Sequence, residues 1–67
     1  MEKFCSRLKE LRQEHNLSVL ALSKILTVSH STILRWERGE ITPSIEYLFK
    51  ICQLFGISAD YLLGLED

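Results

Sequence analysis

The sequence predicts a compact all-α protein, a bundle of five helices in a single domain over residues 1–67. Apolar residues recur at helical spacing along most of the chain, and a serine precedes four of the five apolar segments. No segment alternates apolar and polar residues as a half-buried strand would. With 67 residues, of which 46% are hydrophobic, the chain can bury one modest core and no second one.

The first predicted helix lies before residue 16. Phe4, Leu8 and Leu11 recur at i, i+4 and i+7, which is the apolar stripe of an amphipathic helix. Asn16 tolerates the left-handed conformation that ends many helices. We therefore expect this helix to end near His15 and Asn16.

Two short helical segments follow, separated by three residues. Ser18 precedes the segment 19–26 and Ser29 precedes the segment 30–38, and each hydroxyl can cap free backbone N–H groups. Two helix starts this close together require a tight turn, which is the layout of a helix-turn-helix. Such a turn lets the second helix project into a DNA major groove, which is about 12 Å wide and admits one α-helix. The layout therefore predicts DNA recognition.

Two further helices are expected in the last third of the chain. A fourth helix begins after Ser44 and ends before Gly56, because four apolar residues keep helical spacing between them: Ile45, Leu48, Cys52 and Phe55. Ser58 and Gly64 bracket a short fifth helix over residues 59–63.

Residue types exclude most other classes of function. The chain has no paired carboxylates, no nucleophile with a base and no glycine-rich phosphate loop, so we expect no enzyme activity, no cofactor and no small-molecule ligand. His15 and His30 have no cluster of partner ligands, which argues against a metal site. Cys5 and Cys52 lack C-x-x-C spacing and are expected to be reduced. No apolar run approaches about 18 residues and the first ten residues are charged, so we expect a cytoplasmic protein that does not contact membranes.

The charge is distributed unevenly along the chain. The net charge of −1 does not favour DNA binding, because phosphate contacts need Lys and Arg. Residues 1–40 carry seven basic and five acidic side chains, whereas residues 41–67 carry one basic and four acidic side chains. The small basic excess therefore lies in the half that holds the helix-turn-helix.

The whole pattern resembles the Cro/C1-type (XRE-like) helix-turn-helix family of phage and bacterial repressors. The matching segments are RLKELR at 7–12, LS at 17–18, VSHSTILRWERG at 28–39, PS at 43–44 and GISADYLLG at 56–64. The resemblance implies a lambda-repressor-like fold and sequence-specific binding of a double-stranded DNA operator, with the helix after Ser29 as the recognition helix. It also implies a structural ion pair between Arg12 and Glu37.

Helical spacing predicts which side of the third helix faces DNA. On a wheel of 100° per residue, Ile33 and Trp36 lie opposite the arc that contains Arg35. Arg35 suits guanine, because its guanidinium donates two parallel hydrogen bonds. The expected DNA-binding residues are Ser29, His30, Ser31, Thr32, Leu34, Arg35 and Arg38. The alternative is that these side chains are only a solvated surface.

Several positions depart from the family pattern. Val19 stands where the family usually has a glutamine that binds DNA, and Thr27 stands where a glycine usually forms the turn. Because a β-branched residue disfavours positive φ, we expect either a strained turn or a different turn geometry. Leu34 on the recognition arc could cover a thymine methyl group. Glu40 adds a negative charge to the loop after the third helix. These changes predict a weaker binder, or one that prefers T-rich sites.

Large apolar residues in the last third exceed what so small a core can bury. We count Leu62 among these residues, and we expect some of them to form a homodimer surface near the corner between the fourth and fifth helices. The candidates are Tyr47, Phe49, Leu54, Tyr61 and Leu65. The alternative is that most of them complete the core.

The alternative hypothesis is that the chain is a protein-interaction module, either antirepressor-like or a scaffold. Such a module would keep the fold, while Val19, Leu20 and Leu34 would make its DNA-facing surface apolar.

The start at Met1 and the acidic end favour a complete small regulator over an excised N-terminal domain.

Overall fold

Five α-helices make up the part of the chain that the structure describes, residues 2–66 of a computed structural model. They are α1 (Glu2–Glu14), α2 (Val19–Leu26), α3 (His30–Arg38), α4 (Ile45–Phe55) and α5 (Ala59–Leu63). No strand occurs in these residues, and the prediction of an all-α fold with five helices is confirmed. The ends of the predicted domain, Met1 and Asp67, lie outside the described residues.

Serine caps begin the last four helices, as the sequence predicts. The hydroxyl of Ser18 accepts the backbone N–H of Ala21 at 3.0 Å, and that of Ser29 accepts the N–H of Thr32 at 3.1 Å. Ser44 and Ser58 cap α4 and α5 in the same way. Each cap satisfies a donor that a helix start leaves unpaired, so the caps fix where the helices begin. Asn16, with a φ of 56°, ends the turn after α1 as expected.

The core lies among the five helices, each of which contributes at least one buried side chain. α1 packs against α3 and α5, and α2 packs against α3 and α4. Ten hydrophobic side chains are buried: Phe4, Leu8, Leu11, Leu22, Leu26, Ile33, Trp36, Ile51, Phe55 and Leu62. Leu62 therefore completes the core.

The apolar residues whose spacing predicts α4 are not all buried in the fold. Ile45 is 84% exposed, whereas Ile51 is fully buried and Phe55 nearly so. Leu48 and Cys52 lie at the edge of the core and are half-buried. Of the four residues whose spacing predicts this helix, Phe55 alone is buried.

Cys5 and Cys52 are thiols that are not joined in a disulfide, and both are half-buried. Burial raises the pKa of the Cys52 thiol, because the interior disfavours the charged thiolate. Among residues 2–66, no helix is long and apolar enough to cross a membrane. The same residues contain no group of three or more side chains that could hold a metal ion.

Candidate nucleic-acid interface

The turn between α2 and α3 is built around Thr27. This residue has a φ of 60° and a ψ of 45°, which is the left-handed region, and its N–H donates to the carbonyl of Lys24. The N–H of Val28 donates to the carbonyl of Ser23 at 2.9 Å. These two bonds cap α2 and turn the chain so that α3 begins only three residues later. The predicted conflict between a β-branched residue and positive φ is present at Thr27.

We expect Thr27→Gly to leave the free energy of unfolding unchanged or to raise it by up to about 1 kcal/mol. Glycine removes the steric cost of the left-handed conformation, while its greater freedom in the unfolded chain offsets part of the gain. Urea unfolding checks this, with Thr27→Ala as the control that keeps a Cβ atom. A clear loss of stability in the glycine variant would show that the threonine is not strained.

α3 presents one face to the core and another to solvent. Ile33 and Trp36 are buried and hold the helix against the domain. Of the seven predicted DNA-binding side chains, Thr32 and Leu34 are half-buried. The others are exposed: Ser29, His30, Ser31, Arg35 and Arg38. The structure therefore brings the predicted residues together on the outer face of one helix and its cap.

Hydroxyl groups cluster at the start of α3. The Ser29 Oγ lies 3.1 Å from the Ser31 Oγ and 2.7 Å from the Thr32 Oγ1, within hydrogen-bond distance of both. The same Oγ accepts the N–H of Thr32. The positive end of the helix dipole lies here, so the cluster offers hydroxyl donors where an anion is favoured.

Charged side chains occupy the other end of α3. Arg35 and Arg38 are exposed, and both guanidinium groups face the carboxylate of Glu40, with an N–O distance of 3.9 Å in each pair. The sequence predicts the negative charge at Glu40, but these two contacts were not predicted. The signal was present in Arg-x-x-Arg-Gly-Glu, because a left-handed glycine after a helix folds the next residue back along the last turn.

Arg12 and Glu37 form an ion pair beneath this surface. The Arg12 Nε donates to Glu37 Oε2 at 2.7 Å and its Nη2 donates to Oε1 at 3.2 Å. The Arg12 Nη1 also donates to the carbonyl of Leu17 at 2.9 Å. The two side chains are only 11% and 6% exposed. One guanidinium therefore joins the end of α1, the loop before α2 and the end of α3.

The five residues proposed for a dimer surface divide into two groups. Phe49, Leu54 and Leu65 are exposed. The half-buried Tyr47 packs against Trp36 with ring centroids 5.8 Å apart, and the half-buried Tyr61 lies under the guanidinium of Arg7 at 4.2 Å. An apolar groove of about 290 Å³, which was not predicted, lies between α4 and α5. It is lined by Ile45, Leu48, Phe49, Cys52 and Ala59.

α2 carries one exposed apolar side chain in its first turn and one in its last turn. Leu20 is 52% exposed and Ile25 is 50% exposed. Val19, in contrast, is half-buried and packs against the core. Of the three apolar residues that favour the protein-interaction reading, Leu20 alone is fully on the surface, because Leu34 is also half-buried.

Comparison with known proteins identifies the family. A helix-turn-helix family model, HTH_3, matches residues 8–62, which include all of α2, α3 and α4. The chain belongs to the helix-turn-helix family of transcriptional regulators. Its membership confirms the resemblance to the Cro/C1-type proteins.

Similar proteins carry names of the same kind. An uncharacterized helix-turn-helix transcriptional regulator of Methanocaldococcus jannaschii is 39% identical over 62 residues, covering 92% of this chain and 94% of the relative. The uncharacterized regulator YobD of Bacillus subtilis is 31% identical over 64 residues, covering 96% of this chain and 57% of its own length. A transcriptional regulator from Listeria innocua has a similar structure, with a TM-score of 0.88 and 31% identity over 96% of this chain and 60% of that protein.

The helix-turn-helix chain thus spans almost the whole of the archaeal relative and somewhat more than half of the other two proteins. The relatives are named as transcriptional regulators, and the family is a DNA-binding, non-enzymatic one.

Proposed function

We propose that this helix-turn-helix protein binds double-stranded DNA sequence-specifically as a homodimer and regulates transcription as a repressor. The observation that carries the proposal is the outer face of α3, where two exposed arginines and a cluster of hydroxyls stand on a helix anchored by Ile33 and Trp36. Repression, as opposed to activation, rests on the resemblance to phage and bacterial repressors alone.

The proposed roles follow from the chemistry of each side chain. Arg35 donates to a guanine, and Arg38 binds a phosphate near the end of the helix. The hydroxyl cluster at Ser29 binds a second phosphate, because it combines donors with the positive end of the helix dipole. His30 and Ser31 reach base edges or phosphates. Leu34 and Thr32, which are both half-buried, contact the DNA from opposite edges of the exposed face, and Leu34 covers a thymine methyl group.

A homodimer gives this small surface enough specificity. One helix contacts few bases, and a two-fold axis doubles the number of contacts. The dimer surface is proposed at the apolar residues of α4 and the segment after α5, with Phe49, Leu54 and Leu65 as the exposed members. Tyr47 and Tyr61 contribute the exposed fractions of their rings. In such a dimer the two α3 helices lie about 34 Å apart, one turn of DNA.

Selection of binding sites from random duplex DNA tests the proposal. The expected result is an enriched site with two related half-sites centred about 10 base pairs apart. Analytical ultracentrifugation of the protein with the enriched duplex should give two chains per duplex. An enriched single half-site with one chain bound would contradict the homodimer, and no enrichment would contradict sequence-specific binding.

The second candidate function is a protein-interaction module that keeps the fold. The exposed Leu20 and Ile25 on α2 and the net charge of −1 favour it. The two functions differ in a simple measurement, because phosphate-based binding to heparin or bulk DNA weakens steeply with salt and an apolar interface does not.

A further inference from the structure

The loop after α3 places one carboxylate beside both outward arginines of that helix. Glu40 Oε1 lies 3.9 Å from the Arg35 Nε, and Glu40 Oε2 lies 3.9 Å from the Arg38 Nη1. The two oxygens therefore face two different guanidinium groups. These guanidinium groups are the cations that the proposed function assigns to a base and to a phosphate.

The backbone holds Glu40 in this place. α3 ends at Gly39 with a φ of 77°, and the N–H of Glu40 donates to the carbonyl of Arg35 at 2.9 Å. This conformation favours glycine, and a Cβ atom at residue 39 would also come within 3.2 Å of the Cys5 Sγ. The chain therefore returns residue 40 to the last turn of α3, and the carboxylate leaves the arginines only by turning its own side chain.

We propose that Glu40 limits the affinity of the protein for DNA by acting as a built-in counterion of Arg35 and Arg38. This inference rests on the proposed function. A DNA phosphate that approaches Arg38 meets a carboxylate of the same charge sign and is repelled, and the same carboxylate stands beside Arg35, where that arginine enters the groove between the phosphates. The carboxylate also lowers the effective positive charge of α3, so fewer counterions are released from DNA when the protein binds.

The two ion pairs are weak enough for DNA to displace, so Glu40 lowers the affinity for DNA without preventing binding. The side chains of Arg35, Arg38 and Glu40 are 59%, 63% and 51% exposed, and ion pairs this exposed are weak and screened by salt. The arginines therefore remain available to DNA, and binding carries a modest penalty at low ionic strength. The penalty falls on every sequence, because it acts through phosphate repulsion.

Glu40→Gln is the direct test, because it keeps the shape of the side chain and removes its charge. We expect the affinity for duplex DNA to rise about 3- to 10-fold at low salt, on both matched and scrambled duplexes. The plot of log K against log salt should become steeper by up to about one unit. Circular dichroism melts should show the same stability as the wild type.

Two further variants separate the local effect from the change in net charge. Glu10→Gln makes the same change in net charge at an exposed position on α1, and it should raise the affinity less than twofold. In the double variant Arg38→Ala/Glu40→Gln, the affinity is compared with that of Arg38→Ala alone. The gain from Glu40→Gln should be smaller in this comparison, because one of the two arginines that face residue 40 is absent.

The outcomes distinguish this inference from the proposed function. In one outcome, the wild type binds DNA through its arginines, but Glu40→Gln has the same affinity and salt slope as the wild type. This outcome contradicts the proposed role of Glu40 and leaves the proposed function standing. An equal gain in affinity for Glu10→Gln, or a gain for Glu40→Gln that is confined to the matched duplex, also contradicts the proposed role of Glu40. If neither the wild type nor any variant binds duplex DNA, both proposals are wrong.

Discussion

Arg12→Ala is expected to lower the free energy of unfolding by about 1 to 4 kcal/mol. The Glu37 carboxylate is 6% exposed and would lose both of its hydrogen bonds from Arg12. The carbonyl of Leu17 would lose a donor as well. Glu37→Ala should cost less than Arg12→Ala, because the guanidinium keeps its bond to Leu17. Breaking such a pair costs more than the pair itself contributes, since the remaining charge stays buried.

Thermal and urea unfolding of the two single variants and the double variant measure this interaction. The double variant should be more stable than the sum of the two single losses predicts, which reports a favourable coupling between the side chains. Lys9→Ala, at an exposed position on the same helix, is the matched control and should change stability by less than about 0.5 kcal/mol. Strictly additive losses for Arg12 and Glu37 would mean that the pair contributes no coupling.

Arg35→Ala is expected to weaken binding to the best DNA site by about 1 to 3 kcal/mol and to remove the preference at one base pair in each half-site. A guanidinium in the major groove donates to two acceptors of guanine, and alanine leaves both of them without a partner. Because the Arg35 side chain is 59% exposed and far from the core contacts of α3, the variant should fold normally.

Arg38→Ala is the matched comparison, because it removes the same charge from the same helix. It should weaken binding to all sequences alike and reduce the salt slope by about one unit, as expected of a phosphate contact. Titrations of both variants on matched and scrambled duplexes at several salt concentrations check the difference. Equal loss of preference in both variants, or in neither, would contradict the two assigned roles.

Local signals explain why the helix boundaries could be predicted. A serine before each of the last four helices and a left-handed residue after each of them specify the ends through hydrogen bonds to the neighbouring backbone. The outward face of α3 could also be predicted, because the burial of Ile33 and Trp36 follows from the helical period.

Contacts between distant segments could not be predicted in this way. Ile45 keeps the period of α4 and is nevertheless exposed, because the packing of α4 against the other helices decides which periodic residues are covered. The guanidinium of Arg7 donates to the carbonyls of Tyr61 and Glu66, which lie more than 50 residues along the chain. The tilted contact between the rings of Tyr47 and Trp36 likewise directs a candidate dimer residue toward the core of its own chain.

DNA binding by the outer face of α3 is best tested by a salt titration of the wild type. The affinity for a mixed-sequence duplex is measured between 50 and 200 mM salt, ~4-fold in concentration, beside the double variant Arg35→Ala/Arg38→Ala. We expect binding by the wild type to weaken steeply as salt is added. The double variant should bind more weakly, and its slope of log K against log salt should be lower by about two units. Absent or salt-independent binding, or equal binding by the two proteins, would contradict DNA binding by this face and favour the protein-interaction module.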